Sequence, residues 1–214
     1  MTTKERITEE ALNLFAEYGY KGTSVKQIAD AVGIKDASLY KHFKSKQEIF
    51  ESIVKLIADH TAELSMKLGI PEGTEYDQKT ADFFRKIDQD GLKKLMRETF
   101  LFYLQDPYIS RFWRIAHMEQ YSHPEIYAMF RYRFIDSAIR YHTILFQGMS
   151  KDGIISTKDP QAAAISFYAP FFLLLTKYEN QPDETEKALE TLDQHVDEFF
   201  RVYGNREQKG KKWN

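Results

Sequence analysis

The 214-residue chain contains no cysteine. This absence excludes a disulfide framework, a thiolate nucleophile and a thiolate metal site. A long hydrophobic run is also missing: the longest, Ala162 to Leu175, has fourteen residues interrupted by Ser166, whereas a bilayer-spanning helix needs about 20. The hydrophilic start from Met1 to Glu10 does not resemble a signal peptide. We therefore expect a soluble, cytoplasmic protein that does not enter a membrane.

The chain has no excess of either charge. Its 30 basic and 32 acidic residues give a net charge of −2. This balance argues against an all-over nucleic-acid coat, but a local basic patch on a near-neutral body is compatible with specific DNA binding. Such a patch lies between residues 35 and 46, where four lysines stand against one aspartate.

Catalytic signatures are lacking as well. The sequence has no nucleophile elbow, no Gly-rich phosphate loop and no zinc-hydrolase motif, so we expect neither enzyme activity nor a cofactor. His117, Glu119 and His123 have the side chains of common zinc ligands. Because Pro124 starts a new element, however, we expect no two of them to lie one turn apart on the same helix. The expectation is therefore that no metal is bound.

Apolar residues recur at spacings of three and four throughout, and no stretch alternates with period two for long enough to form a sheet. The pattern predicts an all-α fold: a three-helix helix-turn-helix head, joined by a long helix to a larger helical domain. The expected regions are the helix-turn-helix head at 1–48, the larger helical domain at 49–205, and a basic, disordered tail at 206–214.

The expected helices follow from apolar spacing and capping residues. In the head, helices are expected from Lys4 to Tyr18, between Ser24 and Gly33, and from an Asp36 cap onward. A capping box at Ser45 and Glu48 opens the long helix to about Leu68, and a polar break follows at 69–78. Beyond it, helices are expected at roughly 78–105, which Gly91 could divide, and at 107–121, 124–149, 160–180 and 183–203, with prolines near their starts.

The stretch from Gly22 to Phe50 has the pattern of a DNA-reading element. Ser24 and Gln27 form a capping box for a first short helix, and Gly33 ends it. In the next helix Leu39 and Phe43 point inward. The outward set is then Ala37, Ser38, Tyr40, Lys41 and His42, whose small, hydroxyl and cationic groups suit close approach to phosphates and base edges in a DNA groove.

These residues resemble the TetR-like family of bacterial transcriptional repressors. The likeness covers about the first fifty residues and departs from the family at Lys35, where Ser or Thr is usual, so that the helix cap shifts to Asp36. The matching positions are Ala11 to Phe15, the corner Tyr18 to Gly22, Thr23 to Val25, Ile28 and Ala29, Val32 to Ile34, Ser38 to Tyr40, His42, Phe43 and Lys46.

The resemblance implies a homodimeric, ligand-responsive repressor that binds a palindromic operator in double-stranded DNA. Phosphate contacts are implied for Thr23, Tyr40, His42 and Lys46, and base-edge contacts for Lys35, Ala37 and Ser38; Ser24, Asp36 and Lys41 complete the expected DNA-binding surface. An effector in the second domain would swing the head through the long helix and change the ~34 Å separation of the two recognition helices. A DNA-binding regulator without an inducer and a helical small-molecule-binding protein remain as alternatives.

Fifteen of the 31 aromatic residues fall between Tyr76 and Tyr141. Any one ring can be ordinary core, but the cluster also suits a pocket for a small, largely apolar or aromatic effector. The candidate polar groups that would orient such a ligand are Arg111, Arg114, His117, Glu119, Arg133 and His142. The candidate lining residues are Phe100, Tyr103, Trp113, His117, Tyr121, Tyr127, Phe134, Tyr141 and Phe171.

The last two helices, at 160–180 and 183–203, have the pattern of an association surface. Nearly every residue from Ala162 to Leu175 is apolar, so no face is left for water unless another helix covers it. A second apolar stripe follows at Leu189, Leu192, Val196, Phe199 and Tyr203. Two such helices from each of two chains would form a four-helix bundle, and burial within one subunit is the alternative.

Overall fold

The computed structural model describes residues 1–71, 76–179 and 181–205, and the regular elements within these ranges are helices. The predicted all-α class is confirmed. The helices are α1 Thr3–Gly22, α2 Val25–Val32, α3 Asp36–Leu39, α4 Lys46–Lys67, α5 Gln78–Lys86, α6 Gln89–Gln105, α7 Pro107–Glu119, α8 Pro124–Arg131, α9 Ser137–Lys151, α10 Pro160–Tyr178 and α11 Thr185–Tyr203.

The chain folds as two compact units. The head unit comprises Met1–Thr61 and Asp106–Arg133, and the body unit comprises Ala62–Gln105 and the chain from Phe134 onward. Residues 106–133 thus pack with the amino-terminal helices, whereas the sequence placed them in a domain beginning at residue 49. The predicted tail at 206–214, and residues 72–75 of the polar break, lie outside the described ranges.

Two of the expected long helices are interrupted. The helix expected at 78–105 divides at Ile87 and Asp88 rather than at Gly91. The cause is local: the Asp88 carboxylate accepts the Gly91 N–H at 2.8 Å, which starts α6. The helix expected at 124–149 contains a π-helical turn over Tyr132–Asp136. Prolines do open α7, α8 and α10 as predicted, since a missing N–H is harmless in the first turn.

The body unit has an aromatic core in which α9, α10 and α11 meet. The rings of Phe167 and Phe199 lie 4.8 Å apart, and those of Phe146 and Phe199 lie 5.2 Å apart. His195 of α11 donates from Nε2 to the Phe167 carbonyl of α10 at 2.8 Å. This hydrogen bond joins the two helices within an otherwise apolar interface. No helix in the described ranges combines the length and apolarity needed to cross a membrane.

Candidate nucleic-acid interface

Helix α2 forms as the sequence predicts. Ser24 Oγ accepts the Gln27 N–H at 3.2 Å, and Gln27 Oε1 accepts the Ser24 N–H at 2.7 Å, so the capping box is complete. Gly33 ends the helix with φ 75°, a left-handed conformation that costs glycine little. Ile28 and Ala29 are fully buried, so α2 is held by its apolar face and capped at both ends.

Helix α3 is a single turn, and its cap differs from the prediction. Lys35 is the N-cap residue and makes no side-chain cap bond, so the assignment of Asp36 as the cap is wrong. Asp36 is instead the first helical residue, where its carboxylate interacts favourably with the positive end of the helix. The chain continues as a turn in which the Phe43 N–H donates to the Leu39 carbonyl at 3.1 Å. Leu39 and Phe43 are buried, as predicted.

The outward side of α3 and the following turn forms the reading surface, defined here as Lys35 to His42 without the buried Leu39. Within it Ser38 is half-buried and the remaining side chains are exposed. Tyr40, a large ring that ordinarily packs inward, is 53% exposed. The surface offers a hydroxyl, a phenol, an imidazole and two ammonium groups as hydrogen-bond donors. Donors of this kind on a helix that is buried on its other side match phosphate and base-edge recognition.

The start of α4 is capped only in part as predicted. Ser45 Oγ accepts the Glu48 N–H at 3.1 Å. The Glu48 carboxylate, however, accepts the Lys44 N–H at 2.6 Å, whereas a reciprocal capping box would require the Ser45 N–H. The capping box is therefore half formed: Ser45 caps the helix, and the Glu48 carboxylate binds the backbone of Lys44, the residue before the cap.

Thr23 lies in a tight corner that joins α1 to α2. Its side chain is buried, and its single hydroxyl hydrogen is shared between the Leu14 carbonyl, 3.1 Å from Oγ1, and the Gly19 carbonyl, 3.0 Å from it. The resemblance implies a phosphate contact from this residue. In this structure the hydroxyl is committed to the interior, so Thr23 orients the corner and is not placed to touch DNA through its side chain.

Lys46, another of the four residues implied to bind phosphate, is also engaged inside the head unit. Its ammonium group donates to the Tyr20 carbonyl at 2.7 Å and to the Thr23 carbonyl at 3.0 Å, and it lies 4.3 Å from the centre of the Tyr20 ring. Burial lowers the pKa of Lys46, while the charge of Glu119 acts in the opposite direction. Two of its three N–H donors therefore stabilise the end of α1.

Lys46→Met is expected to lower the free energy of unfolding by about 1–3 kcal/mol, because two partly buried carbonyls lose a charged donor while the aliphatic stem is kept. Urea unfolding followed by circular dichroism measures the loss. Lys44→Met is the matched control, since Lys44 is exposed and its effect should stay within about 0.5 kcal/mol. Equal stability of the two variants would contradict the internal role of Lys46.

The amino-terminal segment of the chain is similar to known proteins. A family model described as bacterial regulatory proteins of the tetR family matches residues 7–53. Residues 7–53 of this chain therefore resemble the amino-terminal domain of that family. The matched residues run from the first buried turn of α1 into α4 and include the whole reading surface.

A curated relative is similar to the same region of the chain. The biofilm operon icaADBC HTH-type negative transcriptional regulator IcaR of Staphylococcus aureus (strain Newman) is 46% identical over 63 residues, which are 29% of this chain and 34% of the relative. The chain thus matches about a third of the length of this curated relative. The likeness is confined to that shared third.

Two solved structures share the fold over nearly the whole chain. The SmeT–triclosan complex has a TM-score of 0.70 at 20% identity, covering 96% of this chain and 93% of the other. AibR, solved in complex with isovaleryl coenzyme A and operator DNA, has a TM-score of 0.58 at 18% identity, covering 94% and 98%. At these identities the likeness establishes the fold.

The nine residues predicted to line an effector pocket fall into two groups. Trp113, His117, Tyr121 and Tyr127 belong to the head unit, whereas Phe100, Tyr103, Phe134, Tyr141 and Phe171 belong to the body unit. In the head unit Trp113 and His117 stack at 5.8 Å as part of the packing around Phe130. Tyr121 is 89% exposed and therefore lines no enclosed space in the head unit.

The five body-unit residues include a contiguous aromatic cluster. Phe171 contacts Phe100 with ring centres 5.6 Å apart and Tyr103 at 6.2 Å, and Tyr103 also contacts Phe134 at 5.9 Å. Tyr141 has a buried hydroxyl without a hydrogen-bond partner among the described residues, and burial raises its pKa to about 12. Beside it, burial lowers the pKa of His142 to about 4, so both side chains are neutral near pH 7.

The three residues considered as zinc ligands are arranged differently from the expectation. Glu119 and His123 do meet: the His123 Nδ1–H donates to Glu119 Oε2 at 2.6 Å. The backbone continues one helical bond past the end of α7, from the His123 N–H to the Glu119 carbonyl at 2.8 Å, and this brings the two side chains together. His117 bonds instead to the Trp113 carbonyl at 2.9 Å. Within the described ranges no cluster of three or more metal-ligating side chains forms.

Proposed function

We propose that this protein is a cytoplasmic, homodimeric transcriptional repressor that binds a palindromic operator and is released from it by a small, largely apolar or aromatic effector. The observation that carries the proposal is the reading surface itself. A capped α2, packed through its apolar face, supports a one-turn α3, and five of the seven residues of the reading surface carry hydrogen-bond donors: Lys35, Ser38, Tyr40, Lys41 and His42. A helix that is fixed on one side and polar on the other is the requirement for entering a major groove.

Within the reading surface the residues have different proposed roles. Ala37, Ser38 and Lys35 lie on the first turn of α3 and contact base edges, where a small residue permits close approach and the polar groups form hydrogen bonds. Tyr40, Lys41 and His42 follow on the exposed turn and contact phosphates. Ser24 adds the amino end of α2, whose free backbone donors suit a phosphate oxygen. Thr23 and Lys46 support this surface from inside the head unit.

The proposed dimer uses the face of α10 that the body unit leaves uncovered. Ile165 is 45% exposed and Leu173 is 64% exposed, and Ala169 between them is exposed as well. These positions are spaced by four residues and therefore share one side of the helix. On α11, Val202 is 57% exposed. A second copy that covers these residues would complete a four-helix bundle and would present two reading surfaces to a palindrome.

The proposed effector site is the aromatic cluster of the body unit, together with the neutral pair Tyr141 and His142. SmeT was solved with triclosan, and AibR with isovaleryl coenzyme A and operator DNA. By analogy, the same fold in this chain would couple a ligand to DNA release. A coupling of 1–3 kcal/mol, or about 5- to 150-fold in affinity, is typical of such switches.

The test is a selection of the purified protein against random duplex DNA, followed by titration of the best site at two salt concentrations. The expected product is a palindrome whose half-sites are about one helical turn apart, bound with a steep salt dependence. The matched control is a variant with Ser38→Ala, which should keep the salt dependence and lose base discrimination at one position in each half-site. Failure of the wild-type protein to enrich any sequence would contradict the proposal.

The selected duplex also tests the effector. A screen of small aromatic compounds is expected to yield molecules that release the duplex and raise the thermal stability of the free protein. A palindrome that no compound releases would favour a DNA-binding regulator without an inducer. Compounds that bind a protein with no affinity for duplex DNA would favour a helical small-molecule-binding protein.

A further inference from the structure

Helix α1 is broken at Gly19, shortly before the chain enters α2. Gly19 has φ 76° and ψ 164°, which turns the following peptide out of the helical path. The Tyr20 N–H therefore points away from α1, and Glu119 Oε1, on the last residue of α7, accepts it at 2.7 Å. A side chain placed at residue 19 would bring its Cβ to 2.9 Å from that same oxygen. The break and the carboxylate thus fit each other closely.

Glu119 is buried, and both of its oxygens are engaged. Oε2 accepts the His123 Nδ1–H at 2.6 Å, and the His123 ring packs edge-on against the Tyr20 ring at 5.3 Å. From the opposite side of the corner, Lys46 binds the Tyr20 carbonyl. A buried carboxylate is unfavourable unless it is hydrogen-bonded, so conformations that part Glu119 from the corner are disfavoured. The corner is consequently attached to α7 on one side and to α4 on the other.

The corner from Gly19 to Thr23 leads directly into α2 and α3. Thr23 is followed by Ser24, the N-cap of α2, and α2 supports α3. We propose that Glu119 is a positioning residue for DNA recognition: it fixes the corner from Gly19 to Thr23 to the end of α7, so that a displacement of α7 is transmitted to the reading surface. This inference rests on the proposed DNA-binding function. In this proposal α7 influences the position of the reading surface through the corner, in addition to the influence of the long helix α4.

The first experiment measures hydrogen exchange in the free protein and needs no DNA. In Glu119→Ala the amides of residues 20–33 are expected to exchange about tenfold faster than in the wild type, because the Tyr20 N–H loses its acceptor. Glu119→Gln keeps an amide oxygen in the same place and is expected to restore most of the protection. The control is Ser52→Ala, which removes the bond from Ser52 to Thr8 on α1, far from the corner along the helix. Unchanged exchange at residues 20–33, or acceleration equal to that of the control, overturns the inference.

The second experiment measures DNA binding with the duplex that the wild-type protein selects. Glu119→Ala is expected to lower affinity about tenfold and to reduce discrimination against duplexes whose half-sites are moved one base pair apart. The salt slope should stay that of the wild type, because no phosphate-binding group is removed. Glu119→Gln should again restore most of the affinity. If the wild-type protein selects no duplex, the proposed function fails; if it selects one and Glu119→Ala binds it with unchanged affinity and spacing preference, the positioning role fails.

Discussion

Phe50→Ala is expected to lower the free energy of unfolding by about 3–5 kcal/mol, the usual loss for a fully buried phenyl ring. Phe50 is 0% exposed and lies where three other rings of the head unit meet. Its ring centre is 5.7 Å from that of Tyr20, 6.0 Å from that of Phe112 and 6.2 Å from that of Phe15. Removing it leaves a cavity that rings fixed on α1 and α7 cannot fill.

The loss should be large compared with the total stability of a typical domain, about 5–15 kcal/mol. Urea unfolding followed by tryptophan fluorescence measures it, since Trp113 is buried in the same unit. Phe50→Leu is the matched control and should cost no more than about 1.5 kcal/mol, because most of the side-chain volume is kept. An alanine variant that unfolds at the same urea concentration as the leucine variant would exclude Phe50 as the centre of the head-unit core.

Lys41→Ala combined with Lys44→Ala is expected to reduce affinity for the selected duplex about 10²- to 10³-fold at physiological salt. Both lysines are exposed on the chain that follows α3, in the basic patch identified from the sequence. In a dimer the double substitution removes four cations. The slope of log affinity against log salt should therefore fall by about 3.6, which is 0.9 for each lost phosphate contact.

A second double lysine variant is the matched control for this salt-dependence measurement. Lys26→Ala combined with Lys67→Ala removes two exposed lysines from α2 and α4, outside the reading surface. This variant has the same net charge as the first, so a non-specific charge effect would change both slopes equally. A change confined to the first variant would locate the phosphate contacts beside α3. Equal slopes for the two variants would rule that location out.

The family model and the curated relative cover only the amino-terminal part of the chain. The family model ends at residue 53, and the S. aureus relative matches over 63 residues. Over nearly the whole chain, the fold is shared with solved structures at 18–20% identity. The aromatic cluster of the body unit lies outside the segment that the family model and this relative cover, and the proposed ligand screen addresses it directly.

The helix caps of the head were predictable where one side chain has one backbone group within reach. They were not predictable where two backbone groups, or two possible cap positions, compete. The Ser24–Gln27 box and the Gly33 stop involve residues three to five positions apart, so their chemistry is fixed by spacing alone. The Ser45 box failed in part because Glu48 had two backbone N–H groups within reach and bonded to that of Lys44. The Asp36 cap failed because α3 begins one residue earlier than the side-chain preference suggested.

The pocket candidates and the phosphate-contact candidates were chosen by side-chain type, which does not specify where the fold places a residue. Aromatic density predicted nine lining residues, yet four of them lie in the head unit, because α7 and α8 pack with the amino-terminal helices. Thr23 and Lys46 carry groups that bind phosphate readily, but here backbone carbonyls accept their hydrogen bonds. No pattern in the sequence marks a hydroxyl or an ammonium group as already engaged.

By itself, the sequence determined the all-α class, the capped α2 with its supporting apolar face, the exposed residues around α3 and the likeness of residues 7–53 to the tetR family. Each of these depends on periodicity or on residues a few positions apart. Only the tertiary structure decided that residues 106–133 join the head, that Lys46 and Thr23 face inward, and that Glu119 binds the Tyr20 N–H across 99 positions of the chain. Such contacts arise from the packing of whole helices, and a side chain has no local signal for a partner brought to it by the fold.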